Sequence, residues 1–153
     1  MRYKMILAKS AAVFLLLVFA MSAAQAHAQN QTPANVAPIA GGWTDPATGL
    51  TWIQRDNGSD VNWDQAKAYC SNLRLGGYSD WRLPTIDELQ GIYDPNAGDM
   101  HVKGNLKLSC NAQWSSTQGS APGTAEYLYF SNGERNSVRL SDRYRDRSLC
   151  VRR

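Results

Sequence analysis

The sequence is poor in the residues that most catalytic motifs require. It holds two histidines, His27 and His101, among 153 residues. It contains no H-E-x-x-H, G-x-S-x-G or C-x-x-C motif, and no glycine-rich loop of the kind that binds phosphate. Because His101 lies in a stretch without regular periodicity, we interpret it as a solvated surface residue rather than a general base. The sequence therefore predicts a protein that is not an enzyme, and it offers no catalytic residue.

No hydrophobic run is long enough to cross a bilayer. The longest uncharged apolar run, residues 11–21, falls short of the roughly 20 residues that a transmembrane helix needs. It follows three basic residues and precedes two A-x-A sequences that end at Ala26 and Ala28. This pattern predicts a secretory signal peptide over residues 1–28. We expect an exported protein, either periplasmic or secreted, with no stable membrane anchor.

An excess of charge of one sign is also missing once the signal peptide is removed. The full chain has 16 Lys and Arg against 13 Asp and Glu, which gives a formal net charge of +3. Three of the basic residues lie in residues 1–28, so the remaining chain is formally neutral, which argues against a nucleic-acid partner. The charge is nevertheless polarised, because residues 29–134 carry −5 and residues 135–153 carry +5.

The residues that could build a core are concentrated in one part of the chain. Residues 29–42 are rich in Gln, Asn, Ala and Pro, which predicts a flexible leader. All five tryptophans and all three cysteines lie in residues 43–153, which predicts a single compact domain. We expect four of the tryptophans to pack in the core rather than to serve as platforms for sugars. These four are Trp52, Trp63, Trp81 and Trp114.

Local signals predict the secondary structure of this domain. A turn over residues 45–49 indicates a hairpin. Asn62 is the expected N-cap of a first helix that ends at Gly76-Gly77, and a capping box at Thr85 and Glu88 starts a short second helix that ends near residues 94–95. After an irregular region, four strands are expected near residues 113–117, 126–131, 135–140 and 148–152. Helices followed by antiparallel strands predict an α+β fold.

Three cysteines in an exported protein leave one outside any single disulfide. Cys70 lies on the apolar face of the first helix, and Cys150 lies in the last strand. We predict that these two form a disulfide, which for a loop of about 80 residues stabilises the fold by about 4–5 kcal/mol in the chain-entropy model. Cys110 would then carry a reduced thiol or form a disulfide with a second chain.

Five blocks of sequence, taken in order, resemble the Lcl C-terminal domain family, which is named for the end domain of a bacterial collagen-like adhesin. The resemblance covers nearly all of residues 43–153. The blocks are D-P-A-T-G-L-T-W from Asp45, W-x-x-A-x-x-Y-C-x-x-L from Trp63, D-W-R-L-P-T-x-x-E-L from Asp80, W-S-S-T from Trp114, and C-V-R from Cys150.

The resemblance carries expectations about fold and function. The family is similar to C-type-lectin-like domains and to formylglycine-generating enzymes. It implies two helices flanking a small antiparallel sheet, a long loop region, terminal strands that meet, and a disulfide between a helix and the last strand. The resemblance also implies adhesion through glycosaminoglycan-type polymers.

Loop acids could in principle bind calcium, as in many lectin-like domains. The nearest cluster is Asp94, Asn96 and Asp99. Because Asp94-Pro95-Asn96 is typical of a turn that ends a helix, we prefer that interpretation. We expect no metal and no other cofactor.

Arginines near the end of the chain are the candidate ligand-binding residues. In an extended backbone Arg143, Arg145 and Arg147 lie on one side, and guanidinium groups suit the sulfate, carboxylate or phosphate groups of a polyanion. The alternative is a solvated strand face on which these arginines pair with acids, among them Asp142 and Asp146. The full candidate set is Arg135, Arg139, Arg143, Tyr144, Arg145 and Arg147.

These observations predict an exported, non-catalytic binding module that recognises an anionic or other extracellular polysaccharide. Two alternatives stay open. One is a protein-binding or envelope-structural module, and the other is a secreted enzyme related to formylglycine-generating enzymes. The sequence leaves the oligomeric state undetermined.

Overall fold

The computed structural model describes residues 40–143 and 146–153. The predicted signal peptide, most of the predicted leader, and residues 144–145 lie outside the described residues. The helices and strands, in chain order, are β1 (Gly42–Thr44), β2 (Thr51–Ile53), α1 (Trp63–Asn72), α2 (Ile86–Gly91), β3 (Ala112–Gln118), β4 (Thr124–Tyr129), β5 (Glu134–Arg139), β6 (Asp146–Arg147) and β7 (Val151–Arg152). This composition confirms the α+β class.

A small antiparallel sheet joins the two ends of the domain, with strand order β1-β2-β7. Trp52 pairs with Trp43 on one side and with Val151 on the other. The hairpin turn between β1 and β2 forms as predicted, because the Asp45 carboxylate accepts hydrogen bonds from Ala47 N and the Thr48 hydroxyl. Gly49 closes the turn with a φ of 71°. The terminal strands therefore meet on either side of β2.

Both predicted helices begin where their capping residues stand. Asn62 and Gln65 form a reciprocal capping box at α1, and Thr85 and Glu88 form another at α2. Both helices end earlier than predicted. Helix α1 ends at Asn72 because the next residue takes an extended backbone, with φ −65° and ψ 135°, four residues before Gly76-Gly77. Helix α2 ends at Gly91 rather than near residue 94.

A larger sheet has strand order β5-β4-β3-β6. Strands β3, β4 and β5 are antiparallel neighbours, and the Asn132-Gly133 turn joins β4 to β5 as predicted. Strand β6 pairs with β3 in parallel, so the sheet is mixed rather than purely antiparallel as expected. The backbone of β6 has a second partner, because Asp146 O accepts a hydrogen bond from Val61 N at 3.1 Å.

The core lies between these sheets and the helices, and all four tryptophans expected there are buried. Two of them also form long-range hydrogen bonds, from Trp63 Nε1 to Ser115 O at 2.8 Å and from Trp114 Nε1 to Val61 O at 2.9 Å. The Cys70–Cys150 disulfide is confirmed and fully buried. It fastens α1 to the residue that precedes β7.

Candidate binding surfaces

Arg135 and Arg139 lie on β5, which forms an edge of the larger sheet. Five of the six residues of this strand are exposed. The register pairs Arg135 with Leu128 and Arg139 with Thr124, so both arginine side chains leave the same face of the sheet. The strand therefore brings two of the predicted arginines together on an accessible surface.

These arginines differ in how far acids neutralise them. Arg135 Nη1 lies 2.8 Å from Asp87 Oδ1, and its Nε donates to Gln90 Oε1 at 3.2 Å. Arg139 and Arg143 are exposed, and no carboxylate of residues 40–143 or 146–153 lies within ion-pair distance of either. Their guanidinium groups are the more available pair for an anionic ligand.

Arg147 occupies the opposite edge of the same sheet, on β6. A row of residues paired across the four strands connects Arg147 to Arg135 by way of Gln113 and Leu128. The two central residues of this row are fully buried. Three strand spacings of about 4.8 Å separate the ends of the row. The structure therefore places Arg147 and the β5 arginines at opposite edges of the sheet, with buried residues between them.

Contacts within the fold hold the Arg147 side chain, which is 16% exposed. It forms an ion pair with Asp60, and its Nε donates to Ser109 Oγ at 3.2 Å. Its acidic partner is thus Asp60 rather than Asp142 or Asp146. Tyr144 and Arg145 lie outside the described residues, so the predicted alternation from residue 143 to residue 147 stays a prediction.

A buried carboxylate organises the loops beside Arg147. Asp56 accepts hydrogen bonds from Ser109 N at 2.7 Å, from Ser109 Oγ at 2.6 Å, and from Gln113 Nε2 and Gly58 N at 3.1 Å each. Because four donors bond this carboxylate, its hydrogen-bonding capacity is satisfied inside the fold. Asp56 therefore links the loop after β2 to the approach to β3.

Asp146 is a second buried acid, and no side chain or N–H group of the described residues donates a hydrogen bond to its carboxylate. Its side chain alternates with that of Arg147 along β6, so it faces the other side of the sheet. Burial, with a smaller contribution from the nearby charge of Asp142, raises the pKa of Asp146 to about 6. Burial of the neighbouring Tyr127 likewise raises the pKa of its hydroxyl to about 12, with smaller contributions from Tyr129 and Asp146.

The acids and histidine considered for chemistry have local structural contacts. Asp94 Oδ1 accepts from Asn96 N at 2.9 Å, so the favoured turn forms, although it does not end α2, which already ends at Gly91. His101 is half-buried rather than fully solvated, packs edge-on against Tyr93, and has a φ of 48°. Within the described residues, no three His, Cys, Asp or Glu side chains converge in a way that could hold a metal ion.

Cys110 is half-buried and is not part of the disulfide. Its thiol donates to Asn111 Oδ1 at 3.6 Å, and its carbonyl accepts from Gln113 Nε2 at 2.9 Å. These contacts place Cys110 beside the Asp56 network.

A groove that the sequence analysis missed lies beside α1, and we call it the Tyr69 groove. It consists of two clefts, of about 400 and 360 Å³, that share Tyr69 and Leu73. Tyr69 is 37% exposed, the one large apolar side chain in the described part of the chain with so much exposure. The signal was present in the sequence, because Tyr69 falls beside the apolar stripe of α1 rather than within it.

Comparison with known proteins identifies one family. The model of the Lcl C-terminal domain matches residues 41–152, which is most of the chain. No curated protein matches the sequence. The helices of the described residues are all too short or too polar to cross a membrane.

Proposed function

Since the chain belongs to the Lcl C-terminal domain family, we propose that it is an exported, non-catalytic module that binds anionic extracellular polysaccharide. A disulfide between Cys70 and Cys150 suits an oxidising compartment outside the cytosol, which supports export. The proposed fold is C-type-lectin-like. Its support is the pairing of the terminal strands with β2, together with a disulfide from a helix to the residue just before the last strand.

The observation that carries this proposal is an exposed arginine surface, formed by Arg135 and Arg139 on β5 and by Arg143 after the strand, which we call the β5 site. Arg139 and Arg143 carry no acidic partner among the described residues. Arg135 lies four residues before Arg139 on the same face of β5. Guanidinium groups donate paired hydrogen bonds to sulfate and carboxylate groups, and they keep their charge at any physiological pH. A linear polyanion can engage several of them at once.

Heparin-affinity chromatography tests the proposal. The double variant Arg139→Gln, Arg143→Gln should elute at clearly lower salt than the wild type. A matched control, Lys67→Gln with Arg153→Gln, removes the same charge elsewhere and should elute near the wild type. The proposal fails if the wild type is not retained, or if both double variants shift equally, because the second result would reflect net charge alone.

A protein partner is the remaining alternative for the same surface. A pull-down in the presence of excess soluble heparin distinguishes the two. Polysaccharide recognition predicts that heparin displaces whatever the β5 arginines bind. A protein that stays bound would favour the protein-binding alternative.

A further inference from the structure

The Tyr69 groove has the dimensions and lining of a ligand site. Its two clefts are shallow and open to solvent, and their volumes of about 400 and 360 Å³ fall within the range typical of small-molecule sites, about 300–1,000 Å³. The shared ridge of Tyr69 and Leu73 divides them, with Leu75 and Ile53 on the side of β2. The groove therefore offers an aromatic ring and aliphatic walls on an accessible surface.

Side-chain amides surround this apolar centre. Asn72 lines the cleft on the α1 side, and Gln54 lines the cleft on the β2 side. Gln65 also lines the first cleft, where its Oε1 already accepts from Asn62 N and its amide NH₂ group is the part that could face a ligand. An amide both donates and accepts, which matches the hydroxyl groups of a sugar, while an aromatic ring packs against the apolar face of a pyranose. A few polar groups around an apolar centre are also what fixes the orientation of a small ligand.

The charge of the groove is positive. Arg55 and Arg74 line opposite clefts, and no carboxylate of the described residues lies within ion-pair distance of either. Asp56 is the acid of the groove, and its carboxylate already accepts four hydrogen bonds from within the fold.

The two arginines keep donors available for a ligand. Arg74 uses Nη1 to donate to the carbonyls of Ser71 and Leu73, at 3.1 and 2.9 Å, which leaves its Nη2 and Nε groups for other acceptors. Both arginine side chains lie beside the Tyr69 ridge, one in each cleft. An anionic group on a ring bound at Tyr69 would therefore meet a guanidinium group on either side.

We propose that the Tyr69 groove binds uronate units, sugar rings that carry a carboxylate, with the ring on Tyr69 and the carboxylate on Arg74 or Arg55. This site is separate from the β5 arginines, and it rests on the proposed function only in that both bind polysaccharide. Two clefts that share one ridge accommodate two successive units of a chain. An acidic peptide lacks the ring that would pack on Tyr69. A neutral sugar lacks the carboxylate that would bind Arg74 or Arg55.

Titration of the isotope-labelled protein with tetragalacturonate, followed by amide NMR shifts, tests the inference. Shifts should cluster on residues 53–56 and 65–75. Tyr69→Ala should weaken binding by about 3- to 10-fold, the range expected for loss of an aromatic contact, while Tyr69→Phe should bind like the wild type. Because Tyr69 lies on the surface, thermal melts should show that both variants fold.

Ligand controls separate the chemical requirements. The methyl ester of tetragalacturonate keeps the rings and removes the charge, and tetraglutamate keeps the charge and removes the rings. Both should bind more weakly than the acid sugar. The double variant Arg55→Gln, Arg74→Gln should lose the preference for the acid over the ester.

The outcomes distinguish this inference from the proposed function. Equal binding by the wild type and Tyr69→Ala, or equal binding of tetraglutamate, overturns the inference. Heparin retention that still depends on Arg139 and Arg143 would then leave the proposed function intact. Conversely, uronate binding at Tyr69 together with heparin retention that is unchanged in the Arg139→Gln, Arg143→Gln variant would contradict the β5 site and support the groove.

Discussion

Arg82 and Glu88 form a two-point ion pair, with Nη1 to Oε2 at 2.7 Å and Nη2 to Oε1 at 2.6 Å. Glu88 Oε2 also accepts from Thr85 N at 2.8 Å, so one carboxylate closes the capping box of α2 and fixes Arg82. The backbone of Arg82 in turn exchanges two hydrogen bonds with Val151 of β7, both at 2.9 Å. The D-W-R-L-P-T-x-x-E block is therefore a structural connection between α2 and the end of the chain.

The same block has a second connection through its first residue. Asp80 accepts two hydrogen bonds from Arg152, at 2.8 and 3.1 Å, and the Arg152 guanidinium stacks over Tyr78 at 3.6 Å from the ring centre. The hydrogen bond from Arg152 is the main cause that lowers the pKa of Asp80. The block that starts at Asp80 and the block that starts at Cys150 thus contact each other, and the contact holds the end of β7 in place.

Glu88→Gln should destabilise the protein at neutral pH by about 1 kcal/mol, because it weakens a partly exposed ion pair. The hydrogen bond from Arg82 is the main cause that lowers the pKa of Glu88 below its usual 4.5. The stabilisation is therefore present above pH 4.5 and is lost as the pH falls through the lowered value. Urea unfolding at pH 7 and pH 3 measures this, with exposed Asp64→Asn as the control. An undiminished difference at pH 3 would contradict the assignment.

Gly104→Ala should destabilise the protein by about 2 kcal/mol or more, since it combines two costs. Gly104 has a φ of 69°, and an added Cβ would collide with the indole ring of Trp43. Gly91→Ala is the matched control, because Gly91 has open space and ends α2. That control should be neutral or slightly stabilising. Thermal melts of both variants check the prediction, and equal melting temperatures would refute it.

Asp146→Asn should stabilise the protein at pH 7 by up to about 3 kcal/mol, because it removes a buried charge. The folded pKa of about 6 exceeds the ordinary 3.8, so ionisation of Asp146 lowers stability progressively from about pH 4 to pH 6 and fully above that range. The difference between variant and wild type should vanish below pH 4. Paired urea titrations from pH 3.5 to pH 7.5 measure this difference directly.

Asp142→Asn provides the comparison for that series. The charge of Asp142 is the smaller of the two causes that raise the pKa of Asp146, and Asp142 is itself exposed. Its replacement should therefore produce a smaller gain over the same pH range. A gain as large as that of Asp146→Asn would show that charge repulsion, rather than burial, dominates.

The elements that the sequence predicted well are those that local chemistry specifies. Asn62 and Thr85 each bond a backbone N–H three residues ahead, so the sequence itself contains both partners of the helix caps. The turns at Gly49 and Gly133 form for a similar reason, because each needs a residue that accepts positive φ. Strand β6 escaped prediction since its two residues gain a partner only after β3 has been placed by the rest of the fold.

The candidate surfaces show the same division. Arg135 and Arg139 share a face because strand periodicity alone puts them there. Arg147 pairs with Asp60, a residue far earlier in the chain, and no local pattern announces that contact. The Tyr69 groove likewise combines a helix with the end of a hairpin, so its cations and its ring come together only in three dimensions.

The position of β2 between β1 and β7 determines how the domain responds to mechanical force. Both neighbours run antiparallel to β2. The start of β1, at Gly42, therefore lies beside Ile53, and the end of β7, at Arg152, lies beside Thr51. Tension applied between the two ends of the domain therefore pulls along the strands, and it loads the hydrogen bonds of both ladders together instead of opening them one by one. If these ladders rupture, the Cys70–Cys150 bond still prevents the residues between them from extending. Under such tension only the residues outside the disulfide loop, 42–69 and 151–152, would extend before the covalent bond bears the load.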